Sequence, residues 1–187
     1  MGLALNRMDM AAFLAWENSQ DGRNEFYQGE VFAMVGARRV HGIVGLNIAA
    51  SLKQQLKDSP CRVFVESMKV KPSQDSLFYP DVFVTCDAGD LATDMIFTSP
   101  SVIVEVLSES TQAFDRGLKF AAYRQIAALK EYLLIDPESR VVELYRRGGE
   151  GLFTLHDFTG TAGFDLVSIG CALKAIDVFD GVTGASD

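Results

Sequence analysis

Two acidic residues stand inside apolar runs that read as buried strands: Asp81 in Tyr79-Pro80-Asp81-Val82-Phe83-Val84, and Glu105 in Val102-Ile103-Val104-Glu105-Val106-Leu107. An ionised carboxylate taken out of water is costly unless a cation or a set of donors compensates it. Any fold for this chain therefore has to supply counter-charge at both places. Side chains alternate faces along a strand, so Ile103, Glu105 and Leu107 share one face while Val102, Val104 and Val106 share the other. Asp81 groups with Phe83 and Thr85 in the same way. If the two strands are neighbours, Asp81 and Glu105 meet at one end of a sheet.

The rest of the chain alternates element types without an internal repeat. Asp9 is a candidate N-cap for a first helix through Phe13, Leu14 and Trp16, which fades at Asn18-Ser19-Gln20-Asp21-Gly22. Glu25-Phe26-Tyr27 and Val31-Phe32-Ala33-Met34-Val35 flank a Gln28-Gly29 turn as a hairpin. From about His41 to Lys57, Val44, Ile48, Leu52 and Leu56 recur at four-residue steps, the stripe of an amphipathic helix. Strands are expected at 62–70, 80–86 and 101–107, a helix at about 115–125, and a strand at 131–136 stopped by Pro137. Segments 141–147, 151–158 and 164–169 read as an antiparallel extension, followed by a short helix within 173–182 and a polar tail at about 183–187. The order implies an α/β fold with a mixed central sheet flanked by helices, in one domain over residues 1–187 whose core spans about 41–136.

The composition suits one globular domain, with 187 residues and 48% hydrophobic content. No apolar run reaches the roughly 18 to 20 residues that span a bilayer, and the first nine residues lack a basic start followed by an apolar stretch, so a cytoplasmic protein is expected. Cys61, Cys86 and Cys171 are odd in number and far apart, which favours reduced, packed thiols. The net charge of −8, from 25 acids and 17 bases, gives no global attraction for polyphosphate. Contacts to nucleic acid must then be local, with Arg38, Arg39, Lys69, Lys71 and Arg116 as candidates.

Two carboxylates brought together cannot both stay ionised cheaply, and a hard divalent ion resolves the conflict; magnesium is the physiological candidate. The helical pattern around Asp115-Arg116-Gly117-Leu118-Lys119-Phe120-Ala121-Ala122-Tyr123 puts Lys119 and Tyr123 one turn apart on one face. That helix follows Glu105 closely enough to project the Lys119 ammonium beside the acids. The plainer reading is an exposed Asp115–Lys119 pair four residues apart, worth about 0.3 to 0.5 kcal/mol.

Pro80-Asp81, Glu105-Val106-Leu107-Ser108 with Ser110-Thr111, Asp115, Lys119 and Tyr123, and Glu131-Tyr132-Leu133-Leu134-Ile135-Asp136-Pro137 together resemble the Uma-two family of putative restriction endonucleases, within the PD-(D/E)XK nuclease superfamily. The similarity extends to Tyr27-Gln28-Gly29-Glu30, His41, Asn47 and Cys61-Arg62-Val63-Phe64, and so covers nearly the whole chain. The resemblance implies a restriction-endonuclease-like core and magnesium-dependent hydrolysis of DNA phosphodiesters, with manganese as a substitute ion. It also implies Asp81 and Glu105 as metal ligands, joined by the Val106 carbonyl. The superfamily places lysine two residues after the acid, where this chain has Leu107. The resemblance suggests that the lysine has moved to the next helix, as Lys119.

Further polar residues carry weaker expectations. Glu30 is a candidate acid near the metal, or simply part of a solvated hairpin. His41 is a candidate substrate contact or proton carrier, Glu66 a supporting acid beside Asp81, and Tyr123 an auxiliary group. A homodimer is expected from the need to address two strands. The competing readings are a catalytically silent interaction module of the same fold, or a hydrolase of a small phosphoester.

Overall fold

A computed structural model describes residues 8–34 and 36–183. The expectations that fall on residues 1–7, on Val35 and on 184–187 lie outside the described residues. The first helix, α1 (Met10–Glu17), starts at Asp9, whose side chain accepts from the Ala12 amide at 2.8 Å. Strands β1 (Asn24–Tyr27) and β2 (Glu30–Ala33) form the expected hairpin. Its two turn residues, Gln28 and Gly29, both have positive φ, 49° and 88°, the geometry that matches the twist of paired strands. The long helix α2 (Arg39–Gln55) buries Val44, Ile48 and Leu52 on the stripe read from the sequence, and Leu56 just beyond it.

The stretch 62–70, expected as one strand, is two. It forms β3 (Arg62–Val65), turns at Glu66 with φ 36°, and resumes as β4 (Lys69–Ser73) in a different sheet. After β4 come β5 (Ser76–Phe78), β6 (Val82–Thr85), a 3₁₀ turn at Asp90–Ala92, β7 (Ile96–Phe97) and β8 (Val102–Val106). The helical segment 112–123, here α3, contains a π-helical turn at Asp115–Lys119. Strands β9 (Glu131–Ile135), β10 (Val142–Arg147), β11 (Phe153–Asp157), β12 (Gly163–Leu166) and β13 (Cys171–Lys174) follow, then a short helix at Ala175–Val178.

The central sheet runs β11-β10-β9-β8-β6-β3 and is mixed, since β8 and β9 are parallel and the other pairs antiparallel. A second sheet, β2-β1-β5-β4-β7, is also mixed, while β12 and β13 pair alone. The alternation along β8 separates two cores. Val102, Val104 and Val106 join Val82, Val84 and the α2 stripe on one face of the central sheet. Ile103 and Leu107 join Phe83, Tyr132, Tyr123 from α3, and Phe78 and Phe97 from the second sheet on the other. Helix α1 lies beyond the second sheet, with Phe13 against Phe26 and Leu77. Glu131 is fully buried and tied, accepting from Arg146 Nε at 2.9 Å and from the Val167 and Ser168 amides.

The cysteines correct the expectation of free thiols. Cys61 and Cys86 form a disulfide, and Cys171 is free and buried. The pairing of Arg62 with Thr85 in β3 and β6 carries Cys61 and Cys86 into opposition at the strand ends, a closeness hidden by their 25-residue separation. Closing a loop of that length destabilises the unfolded chain by about 3.5 kcal/mol. Reduction, or Cys61→Ser with Cys86→Ser, should therefore lower unfolding free energy by about that amount. Urea titrations with and without reductant check this, and an unchanged midpoint would contradict it.

Candidate active site

β6 and β8 are antiparallel neighbours with Val82 opposite Val104, so Asp81, one step before β6, lies beside Glu105. The two carboxylates meet at one end of the central sheet, on the face of Phe83 and Ile103. Asp81 Oδ2 accepts from the Val106 amide at 2.7 Å and lies 3.2 Å from Nε2 of His41, in the first turn of α2. Glu105 Oε1 accepts from Lys119 Nζ at 3.2 Å and from the Tyr123 hydroxyl at 3.0 Å. Helix α3 thus delivers Lys119 and Tyr123 to one carboxylate, as the one-turn spacing requires.

Lys119 is 7% exposed, and its ammonium also faces Glu25 Oε1 at 3.0 Å and Asp115 Oδ1 at 3.3 Å. An ammonium has three donors, and three carboxylates surround this one. The Asp115–Lys119 pair is therefore buried, not the exposed pair of the plainer reading. The π turn at Asp115–Lys119 widens the helix where both residues turn inward.

Glu25 is the site residue that the sequence pattern leaves unmarked. It is 5% exposed, and its Oε1 also accepts from the Tyr79 amide at 3.1 Å, two residues before Asp81. The same signal that marks Asp81 and Glu105, a carboxylate inside a short strand, is present in Asn24-Glu25-Phe26-Tyr27. Glu30, the candidate acid near the metal or part of a solvated hairpin, is exposed at the start of β2. Glu66 is also exposed; its amide donates to the Asp81 carbonyl at 3.2 Å, so it supports Asp81 through backbone.

Burial raises Glu105 well above the ordinary glutamate value; Lys119 opposes this and Asp81 adds to it. Burial likewise raises Glu25 and Asp115, again against Lys119. For Lys119 burial acts downward, but Glu105, Glu25 and Asp115 outweigh it and hold the ammonium protonated. For His41 burial also acts downward, and the hydrogen bond to Asp81 together with the negative charges of Asp81, Glu66 and Asp115 outweighs it, with a net upward shift. Burial raises the Tyr123 hydroxyl well above its usual range, so it stays a donor to Glu105.

Among the described residues, no three His, Cys, Asp or Glu side chains gather into a ready metal cage. The donor set nevertheless suits magnesium, which keeps several waters and takes one or two carboxylates. Asp81 Oδ1 and Glu105 Oε2 make no hydrogen bond among the described residues. The one enclosed side-chain polar atom left without a partner there is His41 Nδ1, and of the two carboxylates Asp81 is the more accessible, with a side chain 15% exposed against 3% for Glu105.

The candidate phosphate contacts are dispersed. Lys69 is buried against Glu17 at 2.7 Å and beneath the Tyr79 ring, and Arg116 binds Glu143 at 3.0 Å. Lys71 is half-buried and reaches Gln74, whereas Arg38 and Arg39 are exposed beside His41.

An α/β fold with a mixed sheet, and acids converging at one sheet end with a lysine from the next helix, defines the restriction-endonuclease-like class. The chain belongs to the Uma2 family, described as putative restriction endonuclease, whose model matches residues 10–170. It is 31% identical over 167 residues to the uncharacterized protein slr1290 of Synechocystis sp., covering 89% of this chain and 87% of that protein. It is 35% identical over 153 residues to the uncharacterized protein sll1609 of the same organism, covering 80% and 86%. A solved structure from Anabaena variabilis, described as a putative nuclease belonging to DUF820, shares the fold with a TM-score of 0.79 at 16% identity, over 94% of this chain and 99% of that one.

The raised carboxylates make the cluster sensitive to pH. Their folded values lie above the ordinary ones, 4.5 for glutamate and 3.8 for aspartate, so this contribution to stability is complete below those values and is lost as pH rises through the folded values. Removing Lys119 widens that loss. Lys119→Met should cost about 3 to 5 kcal/mol at pH 8, the range for breaking a buried pair, and clearly less near pH 5, where the acids take up protons. Urea unfolding at both pH values checks this; a cost under about 0.5 kcal/mol at pH 8 would restore the exposed-pair reading.

Proposed function

We propose that the protein is a magnesium-dependent endonuclease that hydrolyses DNA phosphodiester bonds, acting in the cytoplasm as a homodimer. The observation that carries this reading is the meeting of Asp81 and Glu105 at one sheet end, each with one carboxylate oxygen that makes no hydrogen bond among the described residues, beside a buried lysine. Family membership supports the same reaction class. A single site cuts one strand, which is the reason for pairing two copies on a duplex.

In this reading Asp81, Glu105 and the Val106 carbonyl hold Mg²⁺, with Mn²⁺ as a substitute. When bound, the ion polarises the phosphate and acidifies a water in its shell. The chain's own groups set the stage. The Val106 amide and His41 hold Asp81 in orientation, and Tyr123 and Lys119 hold Glu105. Lys119 also contributes a fixed positive charge next to the reacting phosphate. Because Glu25, Glu105 and Asp115 already face its ammonium, direct positioning of water by Lys119 requires one of them to let go.

The net charge of −8 supports a second reading, a nuclease-fold module that binds a partner without cutting; hydrolysis of a small phosphoester is a third. Nicking of supercoiled DNA at low salt separates them. Cleavage should need Mg²⁺ or Mn²⁺, stop with chelator, and fall by about a hundredfold or more in Asp81→Asn and Glu105→Gln. At a hundredfold excess over Kd, magnesium should stabilise the native chain by about 2.7 kcal/mol and leave a variant carrying both Asp81→Ala and Glu105→Ala unmoved. Metal-linked stability without cleavage of DNA would favour the interaction module. Cleavage that survives Asp81→Asn at the native rate would refute this assignment of the site.

A further inference from the structure

A cleft of about 450 Å³ opens beside the start of α2, lined by Arg38, Arg39 and Arg140 together with Glu138, Val182 and Thr183. Three guanidinium groups against one carboxylate make it locally cationic on a strongly acidic chain. Arg140 comes from the turn between β9 and β10, far from α2 in sequence. The turn is shaped by Asp136, whose side chain accepts from the Glu138 and Ser139 amides. Arg140 itself has φ 58°, a left-handed conformation that a non-glycine residue adopts at a cost. There its guanidinium stacks 5.5 Å over the Phe179 ring and donates to the Val182 carbonyl at 3.5 Å. The backbone strain thus goes into fixing one planar cation at the cleft wall.

Three other arginines are engaged by partners within the fold. Arg116 binds Glu143, Arg146 binds Glu131, and Arg147 donates to the Leu129, Arg124 and Ile126 carbonyls. Among the described residues Arg38 is held by Glu138, in a pair whose side chains are 64% and 56% exposed, and Arg39 by the Thr183 hydroxyl at 3.4 Å. Exposed pairs of this kind open cheaply. The cleft lies one helical turn from the candidate active site along α2: the amide of His41, whose ring contacts Asp81, donates to the Arg38 carbonyl at 3.0 Å.

We propose that this cleft is the phosphate-binding track for the DNA strand entering the site, with Arg140 as its fixed anchor, Arg38 and Arg39 as adjustable contacts, and Glu138 as the competing anion that a phosphate displaces. Guanidinium forks match phosphate oxygens in pairs, and the stacking on Phe179 preorganises one of them. This inference rests on the nuclease reading and adds the path of the substrate to it.

The test measures binding of a fluorescein-labelled 20-base-pair DNA duplex by anisotropy across a salt series with magnesium present. Every protein carries Glu105→Gln so that the duplex stays intact. Arg140→Gln and the pair Arg38→Gln with Arg39→Gln should each weaken binding by roughly threefold to tenfold, and the salt slope should fall by about 0.9 for each phosphate that is no longer neutralised. Glu138→Gln should do the opposite and tighten binding about threefold, which a purely structural Glu138 would not; it also keeps the test open if Arg140→Gln folds poorly. Equal affinities and slopes in all variants, with the parent binding DNA, would overturn the track and leave the nuclease reading standing. A parent that binds no DNA would overturn both. An RNA duplex of the same sequence that binds more tightly and shows the larger arginine effects would overturn the assignment to DNA.

Discussion

The Lys119 ammonium is the charge on which the rest of the site depends. Glu25, Glu105 and Asp115 come from β1, β8 and α3, and each would be intolerable in its buried place without a counter-ion. One lysine thus ties the second sheet, the central sheet and the helix that follows it. The balance is incomplete in electrostatic terms: one positive charge faces three acids, with Asp81 close by. Burial raises the carboxylate values of Glu25, Glu105 and Asp115, and the neighbouring acids add to it against the pull of Lys119. A protein that needed only a stable core would do better with apolar side chains of similar size.

Much of this is legible in the sequence, for definite reasons. Buried acids in apolar strands announce themselves because their cost is large, and the period of two along β8 assigns Glu105 to the face of Ile103 and Leu107 correctly. Lys119 and Tyr123 follow from helix spacing, and the α2 stripe from its four-residue steps. Long-range closure is what the sequence does not display. Glu25 sits in a four-residue strand whose face is decided by pairing with β5, not by its own pattern. The run 62–70 reads as continuous because nothing in Glu66-Ser67-Met68 announces a positive φ, yet the chain changes sheets there. The Cys61–Cys86 bond depends on the β3–β6 register in the same way.

The acidic composition and the polyanionic substrate of the proposed function are reconciled by where the bases are placed. Lys69, Arg116 and Arg146 are consumed in holding elements together, which removes them from the surface charge. Arg38, Arg39 and Arg140 remain together at the cleft next to His41. In the proposed reading long-range attraction for DNA is weak, and binding would rely on short-range phosphate contacts such as those this cleft offers. Such a protein should associate more slowly and discriminate more by fit than a basic nuclease would.

The surplus negative charge left by Lys119 is, in the proposed mechanism, the seat of a divalent cation held between Asp81 and Glu105. Anomalous diffraction from crystals of the native chain soaked in manganese tests this most directly. One peak is expected within direct bonding distance of Asp81 Oδ1 and Glu105 Oε2, with Lys119 still bound to Glu25 and Asp115. No peak at that position under saturating manganese, or a peak only at surface acids, would contradict it.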